Sequence, residues 1–370
     1  MALLVIEGFE GAGTTNGSGT GADNLRDYLL SRYVANLQTS TNTSVRPENG
    51  FGWGKALSWG GDANSDLNTI DFALGKSVTE GWCGFAVKPR LTEHTVPVTI
   101  ARWRSTSHSE NHIDMRAYQN AHLLFYLDTF TQKDIFVPHA LEPDKWTYLE
   151  IRIKISNTVG EIEVKVNGVQ RVNLTSTDTQ GDSGSTEFDT IQMVGAEGLS
   201  NTDVSEQWLI DDFYALDSSG SSNTTFLGPI KVESLFPTAE GTTINFTPST
   251  GTDNSANVDD NPKNDDTDYN SSSDTASNKD LFTTANLSNL TGNIKAVQVV
   301  NQARVEEPGA IGLQSIVSEG TPTQGTGSVI EIADPYVYKD VKHIFETNPD
   351  TSSAWVVSEV NGMEIGYEID

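Results

Sequence analysis

Apolar and polar residues alternate with a period of two along much of this chain, the spacing that lines the two faces of a β-strand. Trp146–Ile155 is the clearest case: Leu149, Ile151, Ile153 and Ile155 point one way, Glu150, Arg152 and Lys154 the other. After a turn at 156–160 the alternation resumes over 161–166 and runs into Asn167-Gly168. That pair takes the positive φ angles of a two-residue hairpin cheaply. A return strand starts at Val169. In strict register Val166 faces Val169, Val164 faces Arg171 and Ile162 faces Asn173, which turns Val172 and Leu174 to the opposite face. Either a bulge follows the turn, or this strand is covered on both sides.

Shorter strand signals recur at 71–74, 82–88, 98–103, 113–118, 122–127 and 207–216. One stretch, Asp23–Tyr33, is spaced as a helix, with Asp23 or Asn24 as N-cap and Leu25, Tyr28 and Leu29 on one face. The Ser/Gly-rich run 217–225 reads as a boundary. Beyond it, strand signals return at 294–303, 337–345 and 363–369. The pattern predicts an all-β protein with a first domain at 1–217, a linker at 218–230 and a second β-sandwich domain at 231–370. Residues 253–280 hold almost no apolar side chains and read as a long acidic loop of the second domain.

Composition narrows the functional classes. The 370 residues carry 23 Lys and Arg against 51 Asp and Glu, a formal charge of −28. Such a surface repels phosphate backbones and anionic lipid headgroups, so nucleic-acid and membrane partners are not expected. The excess is denser in the second part: −15 over residues 223–370 against −13 over 1–222. Cys83 is the only cysteine, so there is no disulfide framework. Glu7 and Glu10 interrupt the apolar start, which reads as a first strand and not as a secretion signal.

Several clusters invite chemistry. Asp259, Asp260, Asp265, Asp266 and Asp268 fall within ten residues and could supply oxygens to calcium, although their spacing is not that of an EF-hand. The alternative is a solvated loop or a contact between subunits. The glycines of 11–21 match neither a P-loop nor a dinucleotide fingerprint. His108 and His112 read as exposed loop histidines. No strand carries the spaced carboxylates of a glycosidase, and the adjacent Asp211 and Asp212 should point to opposite faces of their strand. On these grounds the chain is expected not to be an enzyme. Six of the seven tryptophans lie in the first domain; Trp53 and Trp59, beside glycines, are candidates for stacking on sugar rings.

Two blocks of sequence resemble a known family. "WTYLEIRIKISNTVGEIEVKVNGVQRVNLTSTDTQ" from Trp146 and "WLIDDFYALDSSG" from Trp208 resemble the later strands of concanavalin A-like (laminin G-like) jelly-roll domains. Gly8-Phe9-Glu10 is similar to their opening strand, and the second half resembles segments that follow such domains in virion structural proteins of tailed bacteriophages. The resemblance implies a concanavalin A-like jelly roll in the first domain and a non-enzymatic virion component, assembled in the host cytoplasm. A tail or tail-tip appendage that contacts host surface glycans, alongside copies of itself and other virion proteins, is the expected role. A capsid decoration or head-fibre protein and a glycan-cleaving depolymerase are the alternatives. Members of such families often bind glycans or calcium.

Overall fold

The computed structural model describes residues 2–10, 34–38, 47–51, 54–60, 68–89, 98–118, 122–127, 131–197, 207–261, 263–288, 292–319 and 324–370. The helix expected at 23–33, the glycine-rich run and Trp53 lie outside the described residues. Two compact units are present, Met1–Val232 and Glu233–Asp370. Each is an antiparallel β-sandwich, as the alternation predicts.

Unit 1 is built from β1 (Leu3–Glu7), β2 (Val34–Gln38), β3 (Pro47–Asn49), β4 (Lys55–Gly60), β5 (Asn68–Val78), β6 (Glu80–Pro89), β7 (Val98–Ser105) and β8 (Glu110–Tyr118). The chain continues through β9 (His122–Leu127), β10 (Thr131–Val137), β11 (Thr147–Lys154), β12 (Gly160–Val166), β13 (Val169–Thr177), β14 (Phe188–Glu197) and β15 (Gln207–Leu216). One sheet runs β13-β12-β11-β6-β15-β4-β3, with β1 added beside β15; the other runs β10-β9-β8-β7-β14-β5-β2. Every pairing in both sheets is antiparallel.

The period-two side chains meet between the sheets. Leu149, Ile151 and Ile153 of β11 join Phe85, Phe213, Phe72, Trp103, Met115 and Met193 in one apolar cluster. Phe213 of the first sheet stacks on Phe72 of the second with ring centroids 4.4 Å apart. The β12–β13 hairpin resolves the register question. Asn167 and Gly168 hold φ values of 50° and 77°, and Val166 faces Val169. A register shift then makes Val164 face Val172 and Ile162 face Leu174, so a bulge at Arg171 returns both apolar side chains to the core side.

Residues 226–232, mostly within the stretch read as a linker, are hydrogen-bonded onto unit 1. Leu227 N–H donates to the Tyr214 hydroxyl (3.2 Å), Gly228 N–H to Glu150 (2.8 Å) and Val232 N–H to Asp212 (2.7 Å).

Unit 2 contains β16 (Pro237–Ile244), β17 (Thr247–Pro248), β18 (Asn270–Ser271), β19 (Lys279–Thr284), β20 (Val297–Ala303), β21 (Ile311–Ser318), β22 (Gln324–Thr326), β23 (Ile330–Ile332), β24 (Lys339–Phe345) and β25 (Glu364–Ile369). A short helix, α1 (Val357–Gly362), precedes the last strand. The main sheet runs β16-β19-β25-β21-β22, with β23 beside β21, and the β20–β24 pair forms a separate ladder. Small apolar clusters around Val299, Val317, Phe345 and Trp355, and around Leu313, Val341 and Ile369, fill this unit.

The acidic loop is folded by its own polar groups. Asp280, fully buried, accepts hydrogen bonds from the Asn245 and Phe246 amides (2.7 and 2.9 Å), from Asn254 Nδ2 (2.8 Å) and from the Tyr367 hydroxyl (3.1 Å). A carboxylate with four donors can be buried without a cation.

Candidate functional site

The polar face of the seven-stranded sheet holds an aligned row of charged and polar side chains. Because β-strand side chains alternate, Ile70, Trp103, Ile113, Phe125 and Ile191 turn into the core. Their neighbours Asp71, Arg102, Arg104, Asp114, Tyr126 and Gln192 are then left to the other face. The register aligns five of these as directly opposed partners: Asp71 with Gln192, Gln192 with Arg102, Arg102 with Asp114, and Asp114 with Tyr126. At a strand spacing of about 4.8 Å the row extends about 19 Å across β5, β14, β7, β8 and β9.

Hydrogen bonds follow the row. Gln192 Nε2 donates to Asp71 Oδ1 (2.5 Å), Arg102 Nη1 to Gln192 Oε1 (3.4 Å), and Arg102 Nε to Asp114 Oδ1 (3.1 Å). Arg116 Nη2 donates to Asp114 Oδ2 (2.8 Å), and its guanidinium lies 4.1 Å over the centre of the Tyr126 ring. Arg104 Nη1 sits 3.6 Å from Asp71 Oδ2. Three arginines and two aspartates gather here, and Asp189 is near enough for its charge to act on Asp71 as well.

Burial sets the electrostatics. Asp71, Arg102, Asp114 and Gln192 are buried, whereas Arg104 and Arg116 keep 25% and 20% of their side chains exposed. Desolvation pushes the Asp71 carboxyl above the usual carboxylate range, against the opposing pull of Gln192 and the arginines. It also lowers the Arg102 guanidinium, whose charge Asp114 supports. Arg104 Nε and Asn111 Oδ1, on opposed residues of β7 and β8, are buried with no hydrogen-bond partner among the described residues. Buried polar atoms left in that state mark a place where a ligand or water completes the bonding.

The sequence-predicted candidates fall elsewhere. Trp59 lies in β4, and its side chain is outside the described residues, as is Trp53. In unit 2, Asp265 pairs with Lys263 (2.9 Å), while Asp266 pairs with Arg304 (2.7 Å) and accepts from the Tyr338 hydroxyl (2.7 Å). Asp268 accepts from Asn264 Nδ2 (2.6 Å). Asp260 is pushed above the usual carboxylate range by burial and by the charges of Asp268 and Asp259. Among the described residues no group of three or more His, Cys, Asp or Glu side chains could hold a metal ion.

Two local expectations are corrected. His112 is not an exposed loop residue. It lies in β8 fully buried, accepting from Gly181 N–H at Nδ1 (3.3 Å) and donating from Nε2 to the Glu187 carbonyl (3.1 Å), and burial lowers its pKa. Nor do Asp211 and Asp212 simply face opposite ways. Asp212 adopts φ 50° in a bulge, so Ile210 and Phe213 both reach the core and neither aspartate does. Asp211 accepts from the Phe51 and Asp212 amides (2.7 and 2.8 Å). Burial, together with Glu10 and for Asp211 the charge of Asp212, raises both carboxyls well above the usual range.

No family model and no curated protein matches this sequence. Among solved structures the chain is similar to an endo-β-1,4-glucuronan lyase from the fungus Trichoderma reesei, at 14% identity and a TM-score of 0.38, covering 49% of this chain and 86% of that one. It is also similar to the alginate lyase Aly36B (10% identity, TM-score 0.39, 57% of this chain and 95% of that one). The lectin UEA-II in complex with galactose is a further match (8% identity, TM-score 0.31, 44% and 86%). At such identities the likeness is one of fold.

These comparisons correct the functional expectation. None of the proteins named is a phage particle protein, so a virion component is not supported. The expectation that the chain is not an enzyme is corrected as well, since lyases stand among the similar structures. That expectation had rested on missing glycosidase carboxylate pairs, while the organised groups here are arginines, a glutamine and a tyrosine. The sequence reading missed them because Arg-x-Arg at 102–104 and Asp-x-Arg at 114–116 look like ordinary outward-facing strand positions. Three arginines within fifteen residues of so acidic a chain were the signal available.

Proposed function

We propose that unit 1 binds an acidic polysaccharide along the polar face of the seven-stranded sheet and cleaves it by β-elimination. The carrying observation is the aligned row from Asp71 to Tyr126 with Arg104 and Arg116 beside it. Guanidinium groups match carboxylates in a two-pronged geometry, so partly exposed Arg104 and Arg116 suit the carboxylate of a uronate unit. Neutralising that carboxylate acidifies the adjacent ring carbon.

We assign the proton transfer to Tyr126, the phenol at the end of the row. Entering the step as the phenolate, its oxygen takes the proton from the carbon beside the carboxylate and becomes the neutral phenol; the freed electron pair forms a carbon–carbon double bond, and the glycosidic carbon–oxygen bond breaks. The leaving oxygen receives the proton from Tyr126, so the step needs no water, metal or oxidant. The Arg116 cation over the ring stabilises negative charge on the phenol oxygen during the transfer.

The test is incubation of the full chain with alginate, glucuronan and polygalacturonate, following the ultraviolet absorbance of the new unsaturated uronate. Rising absorbance that Arg104→Ala and Tyr126→Phe each suppress is the expected result. Binding without any product overturns the cleavage step, and absence of binding to every acidic glycan overturns the whole proposal.

A further inference from the structure

Unit 2 carries a second arrangement with the character of a binding site, far in sequence from the sheet face and different in charge. Tyr336 leaves 68% of its surface exposed and belongs to neither apolar cluster of its unit. Its backbone holds φ 62°, a region that costs a ring-bearing residue energy and that glycine would occupy freely. The conformation is fixed by Tyr336 N–H donating to the Val305 carbonyl (2.9 Å), next to a bridge between Val305 and Pro335. Strain maintained in order to hold an aromatic ring in water is an observation that calls for a function.

The ring does not stand alone. The Arg304 guanidinium lies 5.6 Å from the Tyr336 ring centre and 5.1 Å from that of Tyr338. Arg304 and the Tyr338 hydroxyl together fix Asp266, each at 2.7 Å, while 58% of the Asp266 side chain remains exposed. Lys263 lies over the other aromatic ring, 5.2 Å from the Tyr338 centre. A partly exposed carboxylate held by two donors is therefore linked through Arg304 to an exposed aromatic ring. Two cations, Lys263 and Arg304, face the anions Asp265, Asp266 and Glu306, a local balance of −1 that repels acidic ligands.

We infer that Tyr336 and Asp266 form a binding site for a neutral sugar unit of a polysaccharide, separate from the acidic-glycan face of unit 1. The apolar C–H face of a pyranose covers the Tyr336 ring, and hydroxyls on its edge donate to Asp266 and accept from Lys263. The calcium reading of this loop asked the same aspartate to serve as a metal ligand. Here Asp266 acts as an oriented acceptor already held by two donors.

Affinity electrophoresis of the full chain through gels containing mannan, β-glucan or galactan tests this, with alginate as the acidic control. At least one neutral polysaccharide should retard the protein. Tyr336→Gly should weaken that retardation at least tenfold while leaving the melting temperature no lower, because glycine relieves the positive φ. Asp266→Asn should weaken it too, and Arg104→Ala should leave it unchanged. The inference is overturned if no neutral polysaccharide retards the chain, if Tyr336→Gly binds as the parent does, or if Arg104→Ala abolishes the retardation. Loss of alginate binding or cleavage alone would count against the unit 1 proposal and not against this one.

Discussion

Arg102 and Asp114 are directly opposed across β7 and β8, with Arg102 Nε donating to Asp114 Oδ1 at 3.1 Å. Their side chains keep 7% and 0% exposure, so neither charge is replaced by water if the other is removed. Breaking a buried pair from one side costs about 3–5 kcal/mol. Asp114→Ala, which leaves Arg102 and Arg116 without their shared carboxylate, should lower stability by about that amount in urea unfolding. Asp114→Asn keeps an acceptor and should cost less. A loss below about 1 kcal/mol for Asp114→Ala would place the pair in the weak, solvated class.

Arg104 and Tyr126 should separate binding from chemistry. Tyr126→Phe keeps the ring under Arg116 but removes the oxygen that moves the proton. A general acid–base group contributes roughly 10²–10⁴-fold, so kcat on an acidic glycan should fall by that factor with KM little changed. Arg104→Ala removes a carboxylate contact and should raise KM as well. Equal effects of both substitutions on KM alone would remove Tyr126 from the chemistry.

How much of this was legible in the sequence follows from which interactions are local. The hairpin at Asn167-Gly168 was readable because turn chemistry and alternation lie within ten residues of one another. The row Asp71–Gln192–Arg102–Asp114–Tyr126 was not, because its members come from five strands whose pairing only the tertiary fold specifies. His112 was misread for a related reason: its partners Gly181 and Glu187 lie about seventy residues away, and a polar loop sequence gives no sign that it will be covered. Asp280 likewise looks like the end of a solvated acidic run, yet it anchors the fold of that run.

Phe213 binds the two sheets of unit 1 together. Its ring stacks on Phe72 at 4.4 Å and lies 6.3 Å from Phe85, and it is fully buried. Truncation leaves a cavity that close-packed neighbours fill only in part, so Phe213→Ala should cost about 3–5 kcal/mol. Phe213→Leu, which keeps most of the volume, should cost less. Differential scanning calorimetry of both variants checks this, and equal melting temperatures for the parent and Phe213→Ala would contradict the packing argument.

Asp211 and Asp212 make stability fall as pH rises. Their folded-state carboxyls are raised by burial, and Asp211 further by its neighbour, whereas in the unfolded chain they titrate near the ordinary value of about 3.9. Between that value and the raised ones the folded state binds more protons than the unfolded state, so ionisation favours unfolding. The contribution is complete below the unfolded value and is lost as pH climbs through the folded ones. Asp71, raised in the same direction by burial, adds to the effect. The melting temperature should therefore drop from mildly acidic to mildly alkaline pH. Asp211→Asn removes one of the two titrating groups and its charge from beside the other, while keeping an Oδ1 acceptor for the Asp212 amide. It should flatten the profile and raise stability on the alkaline side, and a parent profile that rises across the same window would show that both carboxyls ionise freely in the folded protein.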